Sequence, residues 1–124
     1  MDSEDAMLAV KAGADAIIIS NHGGRQLDGA PSTISVLSEI VDEVNSKVEV
    51  HFDGGVRSGQ DVLKALALGA DCIHIGRPYV YGLGAKGQEG VEIAIEIIKK
   101  ELDLTSNLVR FGPRFRFPEL WSRF

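Results

Sequence analysis

A single cysteine, Cys72, leaves this chain without an internal disulfide and favours a reducing compartment. It also lacks long apolar runs. None approaches the ~20 residues that a membrane-spanning helix needs. Basic residues are outnumbered, 13 against 18 acidic, for a formal charge of -5. That balance gives no overall attraction to nucleic acid or to an anionic membrane. A small anionic ligand would therefore need a local cationic site, which makes individual arginines informative. The first residues, Met1-Asp2-Ser3-Glu4-Asp5, are acidic where a secretory signal would be basic, and Ser122-Arg123-Phe124 is not the Ser-Lys-Leu peroxisomal address. The expectation is an intracellular protein, cytoplasmic or peroxisomal. With 124 residues, 44% hydrophobic and 25% charged, the chain has the make-up of one globular domain.

The pattern of residues is β-loop-α, three times over. A short helix over 4–12, with Ser3 as its cap and Gly13 as its stop, precedes Ala16-Ile17-Ile18-Ile19-Ser20. That near-continuous apolar run predicts a parallel strand buried on both faces. After a polar, Gly-rich loop, Ile34, Leu37, Ile40, Val41 and Val44 recur at helical spacing from about Ser32. Val48 to Phe52 is the second strand. Ser58 and Asp61 have capping-box spacing for the next helix, which ends at Gly69. Cys72 to Ile75 is the third strand, and Gln88 to Leu102 the last helix. Such alternation predicts an α/β fold with a parallel sheet and right-handed crossovers.

Gly13-Ala14-Asp15-Ala16-Ile17 returns as Gly69-Ala70-Asp71-Cys72-Ile73. A (β/α)8 barrel spends about 31 residues per unit, so this offset is close to two units. A flavodoxin-like sheet accommodates it equally. From Ser106 onward the character changes. Arg110, Arg114, Arg116 and Arg123 alternate with Phe111, Phe115, Phe117, Trp121 and Phe124, with no helical or strand period. Residues 1–105 are therefore read as one α/β unit and 106–124 as an irregular tail. Basic and aromatic residues so mixed can bind nucleic acid or membrane, but a tail with no designed role is the preferred reading.

In parallel α/β folds the working residues lie beyond the C-terminal ends of strands. The second loop offers Gly54, Gly55 and Arg57, and the third Gly76 and Arg77. Taken singly, each Gly-Arg pair reads as a tight turn with a solvated arginine. Together, at successive strand ends, they read as a phosphate site of glycine amides and guanidinium forks. The first loop carries His22, suited by its ordinary pKa to proton abstraction, and Arg25, suited to clamping a carboxylate. On its own residues His22 reads equally as a loop histidine bonded to backbone. His51 and His74, inside strands, read as packing or hydrogen-bonded core residues, and Cys72 as an inert buried thiol. No metal-ligand spacing is visible, and no metal site is expected.

The motifs Ser20-Asn21-His22-Gly23-Gly24-Arg25-Gln26-Leu27-Asp28, Asp53-Gly54-Gly55-Val56-Arg57 and Gly76-Arg77-Pro78 resemble those of the FMN-dependent α-hydroxy-acid oxidizing family. That family includes glycolate oxidase, lactate oxidase and mandelate dehydrogenase. The resemblance runs from about Glu4 to Thr105. It implies a TIM (β/α)8 barrel, of which this chain holds about strands six to eight. It implies His22 as the active-site base, Arg25 as the ligand of the substrate carboxylate and Ser20 as a flavin contact. Asp53, Gly54, Gly55, Val56 and Arg57 would hold the ribityl chain and phosphate of FMN, with Gly76 and Arg77 completing the cradle. The implied reaction is oxidation of an (S)-2-hydroxy acid to a 2-oxo acid, in a homo-oligomer that takes a small hydroxy acid and engages neither nucleic acid nor membrane. The family's other active-site groups would precede the sixth strand. The chain is thus expected to act as a fragment of a full enzyme. The alternative is a non-catalytic remnant or interaction module that keeps the motifs.

Overall fold

The computed structural model describes residues 1–109. Its elements follow the expected order: α1 (Ser3–Lys11), β1 (Ala16–Ile19), a 3-10 turn (His22–Gly24), α2 (Thr33–Val44), β2 (Glu49–Phe52), α3 (Gly59–Ala67), β3 (Cys72–Ile73) and α4 (Arg77–Leu108). The three strands form one parallel sheet in the order β1-β2-β3. Ile18 lies beside His51, and His51 beside Cys72; Ile19 lies beside Phe52, and Phe52 beside Ile73. Because side chains alternate along a strand, these two rows occupy opposite faces.

One face is the core. Ile19, Val50 and Phe52 are buried with Leu37, Ile40 and Val44 of α2 and with Val62, Ala65 and Leu66 of α3. Each large side chain so buried contributes about 1.5–3 kcal/mol. The other face carries no helix among the described residues. Ile18 is 57% exposed there. The expectation that β1 is buried on both faces is therefore corrected: its sequence is apolar on both sides, but helices cover only one.

Local signals explain most boundaries. The cap of α1 is Asp2 rather than Ser3. The Asp2 carboxylate accepts a hydrogen bond from the Glu4 N–H at 2.9 Å, while the Ser3 hydroxyl donates to Glu39 of α2 at 2.8 Å. Ser58 caps α3 as expected, its hydroxyl accepting from the Asp61 N–H at 3.2 Å. Asp61 does not complete a capping box; its carboxylate accepts from the Arg57 N–H at 3.1 Å. Ser32 precedes α2 but makes no side-chain cap.

Helix α4 begins eleven residues earlier than Gln88, at Arg77, with Pro78 in its first turn. A kink at Lys86 and Gly87 (φ 62°) divides it. The segment before the kink was hidden in the sequence by Gly82, Gly84 and Gly87, which interrupt the apolar period. Two of the small residues in this region serve packing. A Cβ on Gly82 would run into the Gly90 carbonyl, and one on Gly90 into the Gly82 carbonyl, so the two arms of α4 touch backbone to backbone. The helix extends to Leu108, so residues 106–108, expected to start an irregular tail, are helical. Residues 110–124 of that tail, with its arginines and aromatics, lie outside the described residues.

Candidate functional site

Three strand-end loops converge at one end of the sheet. After β1 the chain turns tightly, held by its own polar groups. The Ser20 hydroxyl accepts from the His22 N–H at 3.0 Å, and the Asn21 side-chain oxygen from the Gly23 N–H at 3.0 Å. Backbone bonds from Gly24 to Asn21 and from Arg25 to His22 close the 3-10 turn. His22 itself has a positive φ of 53°, an uncommon conformation for a residue with a side chain. Its ring and the Arg25 guanidinium are exposed, and neither has a hydrogen-bond or ion-pair partner among the described residues.

The loops after β2 and β3 enclose a cavity of about 160 Å³. Its walls are residues 53–57 and 74–78, with Gly23 from the first loop. Gly23 faces the Arg77 guanidinium, and a Cβ on it would make ordinary contact with that group at 3.9 Å. All seven residues expected to hold ribityl and phosphate (Asp53, Gly54, Gly55, Val56, Arg57, Gly76 and Arg77) line this one cavity. Ser20, His22 and Arg25 do not; they sit in the neighbouring loop.

The chemistry of the cavity suits an anionic, hydroxylated ligand. Arg57 and Arg77 bring two guanidinium groups with no acidic partner among the described residues. Gly76 precedes α4 without capping it by a side chain, so the helix presents its N-terminal amides there. Gly54 has φ 92°, and a Cβ on it would meet the Thr33 hydroxyl at 2.7 Å and Asn21 Oδ1 at 3.1 Å. Only glycine fits that turn without displacing the first loop. Asp53 Oδ1 is buried with no hydrogen-bond donor among the described residues. A ligand hydroxyl would satisfy it. These features fit the phosphate and ribityl chain of FMN.

A model of the FMN-dependent dehydrogenase family matches residues 1–111. The chain belongs to this family. It is 57% identical over 105 residues to the peroxisomal (S)-2-hydroxyacid oxidase GLO3 of Arabidopsis thaliana, covering 85% of this chain and 29% of that protein. It is 57% identical over 105 residues to human 2-hydroxyacid oxidase 1, covering 85% and 28%. A solved mandelate oxidase variant with a monooxide FMN adduct superposes with a TM-score of 0.85 at 51% identity, over 87% of this chain and 34% of that one. The chain thus spans 28–34% of the length of these proteins. FMN is the cofactor of the family, and the α/β architecture of this chain is that of the corresponding part of the mandelate oxidase.

One group of residues has a setting that the sequence did not reveal. His51, Cys72 and His74 are not core residues. They stand together on the uncovered face, His51 and Cys72 half-buried and His74 exposed. Their lateral pairing depends on strand register, which residue spacing does not encode. Burial pushes the Cys72 thiol up from its ordinary range; a backbone hydrogen bond with Ile73 opposes this, and the charges of Glu49 and Asp71 add to it.

Proposed function

We propose that this chain is the phosphate-cradling and base-bearing part of an FMN-dependent oxidase or dehydrogenase of (S)-2-hydroxy acids, equivalent to strands six to eight of a (β/α)8 barrel. The observation that carries the reading is the convergence of three loops: two guanidinium groups with no acidic partner among the described residues in one cavity, Asp53 with its unsatisfied oxygen in that cavity's wall, and His22 and Arg25 in the loop beside it. Arg57, Arg77 and the amides at the start of α4 would neutralise a phosphate. Asp53 Oδ1 would accept from a ribityl hydroxyl, and Ser20 would lie against the flavin. When bound, FMN supplies the electron acceptor for substrate oxidation. Arg25 would pair with the substrate carboxylate through its planar fork, and His22 would take the proton released as the hydroxyl carbon is oxidised. Homo-oligomerisation and a peroxisomal or cytoplasmic location are part of the same reading; the relative GLO3 is named peroxisomal.

A chimera tests this. Residues 1–105 replace the matching segment of the Arabidopsis oxidase, which supplies the remaining strands. The expected product is yellow and loses its flavin absorbance when glycolate or lactate is added without oxygen. A folded chimera that holds no FMN, or holds it and is not reduced by any 2-hydroxy acid, would overturn the reading.

A further inference from the structure

Strand pairing gathers three soft donors at one place. His51 and Cys72 are lateral partners on β2 and β3. His74 follows Cys72 by two residues, which returns it to the same face of the sheet. His51 Nδ1 and His74 Nε2 stand 3.2 Å apart. One ligand atom from each of His51, Cys72 and His74 lies within 4.8 Å of the other two. At the opposite side of its ring, His51 Nε2 lies 3.2 Å from Glu49 Oε2.

Two imidazole nitrogens facing each other at this distance need an electropositive atom between them, either a proton on one or a metal ion bound by both. In the neutral tautomer whose Nε2–H donates to Glu49, His51 keeps a lone pair on Nδ1, the nitrogen that faces His74. A carboxylate behind the ring is the usual means of fixing the tautomer of a ligating histidine. With Zn–N at about 2.0–2.1 Å, two nitrogens of a tetrahedral site lie about 3.3 Å apart, close to the spacing seen here. With Zn–S at about 2.3 Å the nitrogen-to-sulfur edge is about 3.6 Å, so Cys72 Sγ needs to move by on the order of 1 Å. A side-chain rotation supplies that. Two imidazoles and a thiolate suit zinc, whereas magnesium and calcium require oxygen ligands.

We propose that His51, Cys72 and His74 form a zinc site, with Glu49 as the positioning residue of His51 and the fourth position facing the uncovered side of the sheet. The site adjoins the arginine cavity and shares His74 with its wall. It does not rest on the flavin reading.

The test uses the whole 124-residue chain on a soluble carrier that has no cysteine and no histidine tag, stripped with chelator and titrated with cobalt(II). One cobalt per chain is expected, with the visible bands of four-coordinate cobalt and a near-ultraviolet thiolate-to-cobalt band, both displaced by zinc. Cys72→Ser should remove the thiolate band. His51→Phe and His74→Phe should each weaken binding by tenfold or more, with far-ultraviolet circular dichroism showing that helix content is kept. If one variant unfolds, the other two decide. Glu49→Gln should weaken binding about tenfold and leave the thiolate band in place. No cobalt spectrum at millimolar metal, or a spectrum indifferent to Cys72→Ser and His74→Phe, would overturn the site and leave a histidine pair that shares a proton.

Discussion

Gly59, the first residue of α3, lies directly against the backbone of Leu102 in α4. A Cβ there would collide with the Leu102 nitrogen, the Glu101 carbonyl carbon and the Ile98 carbonyl oxygen. The Gly59 N–H also donates to the Glu101 carboxylate at 2.9 Å. The last helix is therefore anchored at the start of the helix that follows the loop of residues 53–57.

Gly59→Ala should for this reason destabilise the fold by about 3 kcal/mol, the upper range for overpacking, because backbone rather than a flexible side chain must move. Urea unfolding of the chimera described above measures it. A change below about 0.5 kcal/mol would mean that the helices separate freely.

In the same chimera, His22→Ala should leave FMN bound and slow flavin reduction by substrate by about a hundredfold to ten-thousandfold, the range for losing a general base. The His22 ring lies outside the cavity walled by Arg57 and Arg77, which is why retention of the flavin should not change. Stopped-flow bleaching gives the rate, and a near-parental value would remove His22 from the chemistry.

Arg25 and Arg77 should divide their labour. Arg25→Lys keeps the charge but loses the planar fork, so the substrate KM should rise tenfold or more with little loss of FMN. Arg77→Ala should do the reverse, weakening FMN by at least tenfold while the KM of the flavin-loaded fraction stays near its parental value. Equal effects of both substitutions on flavin retention would contradict the placement of Arg77 in the cavity wall and Arg25 outside it.

The 124-residue chain alone should self-associate. Among the described residues its sheet has one uncovered face bearing Ile18 and two unpaired edges, β1 and β3. Unpaired parallel edges with apolar faces seek partners. Light scattering after gel filtration should show a mass well above one chain, reduced by Ile18→Lys. A monodisperse monomer that turns over glycolate or lactate would defeat both this expectation and the need for further strands.

Sequence was most informative where local chemistry decides structure. The apolar runs of β1 and β2, the Ser58 cap and the glycines at the strand ends all act within a few residues, and each was readable. Where two residues could do the same job, as Asp2 and Ser3 could cap α1, backbone geometry chose, and no pattern announces that choice. The first arm of α4 has no readable apolar period because Gly82, Gly84 and Gly87 interrupt it, and Gly82 is there for close approach to Gly90. The loop residues gathered in the cavity could be named from the motifs, but the orphaned oxygen of Asp53 could not. The grouping of His51 with Cys72 and His74 was out of reach for a different reason. It depends on which residue of β2 lies beside which residue of β3, and that register is set by the packing of α2 and α3 beneath.

The strands lie in the sheet in the same order as in the chain, so each unit docks on the one made just before it. During synthesis the loop with His22 is complete while the walls of the cavity are still unmade. The cavity walled by Arg57 and Arg77 exists only when β3 has paired with β2 and α4 has begun to wind, so a ligand held there would arrive late and report on the finished assembly.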